Sequence, residues 1–200
     1  MLIKTAQHYN VHAKELSAQY QAVSSEFLHR RWVADSLPAT PGFACDIGAG
    51  SGRDANWLAE KGWDVIAVDP SRGMRELAIP KSHSNVTWLD DSLPELSRLR
   101  ALGHRFDLVL LSAVWQHLLP GQRERAFRIL TELLKPGGTL VITLRHGSDE
   151  HENRDRGFHP VSAAELAVFA QRRAVVMRDP VTQPDQTRTH VQWETVAFST

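Results

Sequence analysis

The chain has 200 residues, 42% hydrophobic and 23% charged, and is long enough to bury about 70% of the surface that its unfolded form exposes. Its 23 basic and 23 acidic residues cancel, giving a pI near 7.2, which argues against a broad electrostatic grip on nucleic acid. One cysteine, Cys45, allows no intrachain disulfide or thiolate cluster, and no run approaches the roughly 20 apolar residues that span a bilayer. The expectation is a cytoplasmic protein without a targeting segment, folded as one domain over residues 1–200.

Leu16, Tyr20, Val23 and Phe27 recur at helical spacing, and Leu28, Trp32, Val33 and Leu37 carry an apolar face on to Pro38. Residues 1–40 therefore predict one or two amphipathic helices, a cap before the core of 41–200. "FACDI" follows as a short buried strand, "RDANWLAEKG" as a helix closed by Gly62, and "DVIAV" as a second buried strand. The alternation continues with a helix around "SRGMRELA", strand "VTWL", helix "PELSRLRAL", strand "FDLVLLS", helix "QRERAFRILTELL" broken by "KPGG", and strand "TLVITL". Strands alternating with helices imply right-handed crossovers and a parallel sheet covered on both faces. "SAAELAVFAQRR" opens with the capping-box spacing Ser162 to Glu165, and "AVVMR" and "HVQWETVAF" flank the turn-rich "DPVTQPDQTR" as a terminal hairpin. The fold class is thus α/β: a doubly wound sheet, mostly parallel with an antiparallel C-terminal strand, plus an N-terminal helical cap.

Between the first strand and the next helix lie Gly48, Gly50 and Gly52. Such a turn lets backbone approach a ligand and aims the unpaired N–H groups of the helix at it. The spacing is G-x-G-x-G, which departs from the G-x-G-x-x-G of a pyrophosphate site, and no GK[ST] phosphate loop follows, so a nucleoside fits better than a diphosphate. Asp69, at the tip of the second strand, is placed to accept both ribose hydroxyls. Asp90 or Asp91, after the third strand, is placed to accept from an exocyclic adenine amine; one of the two reads as a helix cap, and the pattern does not say which.

These segments resemble the class I S-adenosylmethionine-dependent methyltransferases. "DIGAGSGRDANWLA" is similar to the family's glycine-rich first motif, "VIAVDPS" to its ribose-binding strand end, and "WLDDSLPEL" to its adenine-side segment. "FDLVLLSAVWQHL" and "LLKPGGTLVIT" are similar to its fourth-strand segment and fifth-strand approach, so the likeness covers about residues 40–145 in order. The resemblance implies a Rossmann-like fold and S-adenosyl-L-methionine as cofactor, with S-adenosyl-L-homocysteine as product. It implies Asp46, Gly48, Ala49, Gly50, Ser51 and Gly52 around the methionine moiety and Asp69 on the ribose. Asp90, Asp91 and Ser92 would then meet the adenine edge, with Met74 on its face, and Pro70 and Ser112 complete the expected cofactor set.

Methyl transfer from a sulfonium is an in-line displacement, so the protein's main task is alignment and exclusion of water. The acceptor is expected beyond the strand carboxyl ends, where Ser112 to His117 and Arg145 to His146 emerge. Tyr20, Trp115, Arg145 and His146 are the expected wall, and His117 and His146 the candidate catalytic groups, although Trp115 reads equally as core and His117 as a partly exposed helix residue. No "NPPY"-like sequence stands at the fourth strand, which with zero net charge lowers DNA as a substrate. His8 with His12, or His146 with His151 or His159, form no coherent ligand set, so no metal is expected. The leading reading is methylation of a small-molecule acceptor, with nucleic acid and membrane not expected as partners. The alternatives are a nicotinamide-nucleotide-dependent oxidoreductase, methylation of RNA or protein, and a non-catalytic binding module. The charged segment "RHGSDEHENRDRGFHP" after the fifth strand reads as a loop able to close over the acceptor.

Overall fold

A computed structural model describes residues 3–186 and 188–200. Three helices precede the sheet, α1 (Ile3–Val11), α2 (Ala13–Gln21) and α3 (Ser25–Ser36), where the apolar spacing predicts one or two. The break between the last two falls at Ser24, whose hydroxyl caps α3 by accepting from Phe27 N. Then come β1 (Phe43–Ile47), α4 (Arg53–Glu60), β2 (Asp64–Val68), α5 (Arg72–Ala78), β3 (Val86–Leu89), α6 (Ser97–Ala101) and β4 (Phe106–Leu111). A short 3₁₀ turn at Trp115–His117 leads into α7 (Pro120–Glu132) and β5 (Leu134–Gly147). The chain ends with α8 (Glu150–Arg156), α9 (Ala163–Arg173), β6 (Val176–Met177), β7 (Val181–Pro184) and β8 (Val191–Ser199).

The strands lie in the order β3-β2-β1-β4-β5-β8-β6, with β7 also paired to β8. β1 to β5 run parallel, and β8 is antiparallel to β5, β6 and β7. The α/β sheet with an antiparallel C-terminal strand is therefore as expected. The C-terminal hairpin differs: the turn-rich "VTQP" is itself a strand, and Pro184 is tolerated because β7 pairs on one side, with β8.

Side-chain alternation divides the core between the two sheet faces. Cys45, Ile66, Val109, Leu111 and Ile142 face one cluster, filled by Phe127 of α7 and Phe169 of α9. Ala44, Val65, Leu108, Leu110 and Val141 face the other, filled by Trp57 and Leu58 of α4 and by Trp32 of α3. The sequence thereby seats α3 on α4. Beneath Trp32, its Nε1–H donates to His29 Nδ1 at 3.0 Å, His29 Nε2 lies 3.2 Å from Asp54 Oδ1, and Ser25 Oγ donates to the same oxygen at 2.7 Å. The helices α1 and α2 lie against α5: Asn10 Oδ1 accepts from Ser71 Oγ at 2.8 Å and Gly73 N at 2.9 Å. Gly73 permits that approach, since a Cβ there would stand 3.0 Å from the Asn10 carbonyl oxygen. Gln183 of β7 donates to the Leu28 carbonyl at 3.0 Å, so the cap reaches from α5 across to β7.

The segment after β5 holds a helix where the sequence reads as a loop. Asp149 caps α8 by accepting from His151 N and Glu152 N, and Gly157, at φ 66°, closes it in the left-handed conformation. No helix among the described residues is long and apolar enough to cross a membrane.

Candidate active site

The order of the sheet reverses between β1 and β4, and ligands of doubly wound sheets sit outside the strand carboxyl ends at such a switch point. Here the chain leaves β1 through the glycine loop. Gly48 N and Ala49 N both donate to the Val68 carbonyl, at 2.7 and 3.0 Å, which fastens the loop to the end of β2. Gly48 and Gly50 adopt φ of 75° and 53°. A Cβ on Gly48 would also stand 2.3 Å from Val114 Cγ2, so backbone freedom and space both select glycine there.

Asp69 closes the arrangement. Its Oδ2 accepts from Gly50 N at 2.8 Å and its Oδ1 from Ser71 N at 2.7 Å, so the carboxylate is held between loop and helix start with further lone pairs left to accept. Burial pushes its pKa up to about 6, against the pull of the two N–H donors.

Above these groups lies a cavity of about 500 Å³, within the range of small-molecule sites. Asp46, Gly48, Ala49, Gly50, Ser51, Asp69, Pro70 and Ser112 line it, together with Tyr20, His117 and Arg145. Asp91 and Ser92 line a small adjoining cleft of about 20 Å³ that shares Gly48, Pro70 and His117 with the cavity. Asp91 Oδ1 accepts from Ser92 N at 2.8 Å and its Oδ2 from Leu99 N at 2.9 Å, in the first turn of α6, whose N-cap position is Leu96.

Other expected site residues lie elsewhere. Asp90 is exposed and paired with Arg75 and Arg98, away from both cavities. Met74 is fully buried under the glycine loop, its Cε 3.5 Å from where a Gly50 Cβ would stand, and is core. Gly52 starts α4 and packs against Trp88, not the cavity. Trp115 is fully buried in the core cluster with Phe127 and is no wall residue. His146 points to the opposite sheet face from Arg145, because neighbours on a strand alternate, and its Nε2 lies 2.9 Å from Glu194 Oε2. His117 is buried, not a partly exposed helix residue.

Two carboxylates at the cavity floor behave differently. Asp54 is gripped in bidentate fashion by Arg53, at 2.8 and 2.9 Å; despite burial, Arg53 and His29 hold its pKa well below the ordinary value. Asp46 is 1% exposed, and its Oδ2 has no hydrogen-bond partner among the described residues. Burial, and then the charge of Asp54, push its pKa well up despite Arg53.

Over the β4 side, Tyr9 Oη lies 3.1 Å from His117 Nε2, and the two rings meet edge to face. Burial, and then the charge of Arg156, lower the His117 pKa to about 3, so this imidazole is neutral. Phe158, after α8, lies 4.9 Å from the His117 ring, and Arg156 donates to the hydroxyls of both Tyr9 (3.0 Å) and Tyr20 (2.7 Å). Tyr9, Arg156, Phe158, Gln183, Arg188 and Trp193 line the cavity without having been singled out in the sequence. Only the position of the charged segment behind β5 pointed toward two of them.

Residues 45–142 match the family model described as a methyltransferase domain. An uncharacterised methyltransferase of Geobacillus kaustophilus is 26% identical over 124 residues, which are 58% of this chain and 56% of that protein, so the match spans little more than half of that relative. The N-methyltransferase NodS of Bradyrhizobium japonicum, solved with S-adenosyl-L-homocysteine, superposes with a TM-score of 0.77 at 17% identity, covering 98% of each chain. The 1,6-didemethyltoxoflavin-N1-methyltransferase of Burkholderia thailandensis superposes at 0.64, with 21% identity over 94% of this chain and 88% of that one. With the sheet order, the glycine loop and Asp69, these likenesses support a class I S-adenosylmethionine-dependent methyltransferase. That family's cofactor is S-adenosylmethionine.

Proposed function

We propose that the protein transfers the methyl group of S-adenosylmethionine to a small-molecule acceptor held in the 500 Å³ cavity. The observation that carries this is the pair of buried carboxylates, Asp46 and Asp69, on either side of a glycine loop in a cavity roofed by the cap and the α8 segment. The residues fit the cofactor: Asp69 keeps lone pairs for ribose hydroxyls, and Asp46 presents an unpartnered oxygen suited to a cationic amino group. Bound there, S-adenosylmethionine supplies an electrophilic methyl group whose bonding pair stays with sulfur when the acceptor attacks.

The chain's own contribution is alignment and dryness. Gly48 to Ser51 present backbone to the cofactor, Ser112 and Val114 line its boundary with the acceptor, and Tyr9, Tyr20 and Phe158 keep water out. His117, neutral and with Nδ1 lacking a partner among the described residues, orients an acceptor by a hydrogen bond rather than serving as a strong base. His146 takes no part in this reading, because it lies on the other face of β5.

The relatives described above include an N-methyltransferase and a methyltransferase whose structure contains 1,6-didemethyltoxoflavin, which supports a small acceptor. The test is to incubate the protein with methyl-labelled S-adenosylmethionine and, separately, with cellular small-molecule, RNA and protein fractions, in excess chelator. Label entering a product one methylene heavier in the small-molecule fraction is expected. Label confined to RNA or protein, or transfer that requires an added divalent ion, contradicts it.

A further inference from the structure

Opposite the cofactor end, the same cavity holds a cluster of arginines that methyl transfer does not require. Arg145 of β5, Arg156 of α8 and Arg188, just before β8, all line it, and all three guanidinium groups contact the single carboxylate Glu152. Arg156 Nη1 and Arg188 Nη1 stand 3.2 and 3.4 Å from Glu152 Oε1, while Arg145 Nη2 meets Oε2. Arg188 is also paired with Asp185 at 2.7 Å. Three guanidinium charges against two carboxylates leave one positive charge over.

The cluster is built into the fold. Arg145 is 5% exposed, and its guanidinium carbon sits 4.6 Å from the centre of the Phe158 ring, which carries Arg156 at 4.8 Å as well. Gly147 makes room for it: a Cβ there would stand 2.2 Å from Arg145 Nη1, although the Gly147 backbone does not itself demand glycine. The Nε groups of Arg145, Arg156 and Arg188 are buried with no hydrogen-bond partner among the described residues. A buried guanidinium whose donors are incompletely used is costly unless a ligand completes them.

The cavity is polarised along the sheet. At the β1–β2 end the carboxyl groups of Asp46, Asp54 and Asp69 face the single guanidinium of Arg53, an acid-rich end that suits a sulfonium cofactor. The arginines stand on the β5–β8 side, and β5 lies three strand spacings from β2, about 14 Å. Taking the cavity to be the acceptor site, as proposed above, we infer that the acceptor carries a carboxylate, seated on Arg145, Arg156 and Arg188 while its nucleophilic atom faces the methyl group. A planar guanidinium pairs with a carboxylate through two parallel hydrogen bonds, and one surplus charge matches a monoanion. Phe158 and Tyr20 flank the arginines and give an aromatic body of the acceptor its surface.

The test is calorimetric, on the full chain saturated with S-adenosyl-L-homocysteine, with flat carboxylates each paired with its neutral amide: benzoate with benzamide, nicotinate with nicotinamide, indole-3-acetate with its amide. At least one carboxylate is expected to bind about tenfold tighter than its amide. Arg188→Gln is expected to reduce that preference to about threefold or less, with S-adenosyl-L-homocysteine affinity unchanged. Gly147→Ala, which keeps every charge and displaces only the Arg145 guanidinium, is expected to do the same and guards against misfolding of an arginine variant. A panel in which no carboxylate outbinds its amide overturns the inference. So does a fall in S-adenosyl-L-homocysteine affinity in these variants, because the arginines would then serve the carboxylate of the cofactor. Failure of the parent to bind S-adenosyl-L-homocysteine at all would instead sink the methyl-transfer reading.

Discussion

Asp69 concentrates the site's chemistry in one side chain. Its oxygens are fixed by Gly50 N and Ser71 N, so on the proposed reading a ribose would meet acceptors already in place. Asp69→Ala is expected to weaken S-adenosyl-L-homocysteine binding by about 1–3 kcal/mol in a folded variant, and calorimetry reads this directly. Its pKa of about 6 adds a pH dependence. In the ligand-free protein a raised carboxyl contributes stability that is present below its ordinary value and lost as pH rises through about 6. Ligand binding uses the ionised form, so affinity is expected to rise about tenfold between roughly pH 5 and 7 and then flatten. Asp46 slopes the same way, so Asp69→Asn should reduce this rise without abolishing it; an unchanged profile in the variant contradicts the assignment. Asp69 was legible from its strand-end position, whereas Asp90, Met74 and His146 were misplaced for one shared reason. Spacing locates the end of a strand, but whether a side chain turns into the cavity depends on which partner it finds there: Arg75 for Asp90, the loop's underside for Met74, Glu194 for His146.

Among elements, α3 depends on one carboxylate of α4. Asp54 accepts from Ser25 and Arg53 and faces His29, so Asp54→Ala leaves buried donors unpaired where α3 meets α4. A loss of about 3 kcal/mol in denaturant unfolding is expected, and a loss below about 1 kcal/mol contradicts the tie. The parallel strands were legible because burial on both faces makes them short apolar runs. The helix α8 was not, since it has no buried residue and rests on Asp149, Gly157 and its ion pairs. Gly157→Ala puts a side chain at φ 66° and is expected to speed amide exchange across 150–156 while leaving α9 unchanged. Equal exchange in parent and variant would show that α8 does not depend on this turn.

At the scale of the molecule, the order of elements from β1 to β5 and the glycine loop are a sequence-level signature, and the family match falls on the same stretch, residues 45–142. The end of the cavity away from the glycine loop is assembled from α1, α2, α8 and the β7–β8 region, far apart in sequence, so no local spacing announced Tyr9, Arg156 or Arg188. The central claim is that the cavity holds a nucleoside sulfonium cofactor and no dinucleotide. Titrating the purified protein calorimetrically with S-adenosyl-L-homocysteine and, separately, with NADH tests it most directly. Saturable one-to-one binding of S-adenosyl-L-homocysteine, weakened in Asp69→Ala by the margin given above, with no heat from NADH, is the expected result; tight NADH binding with none of S-adenosyl-L-homocysteine would contradict it.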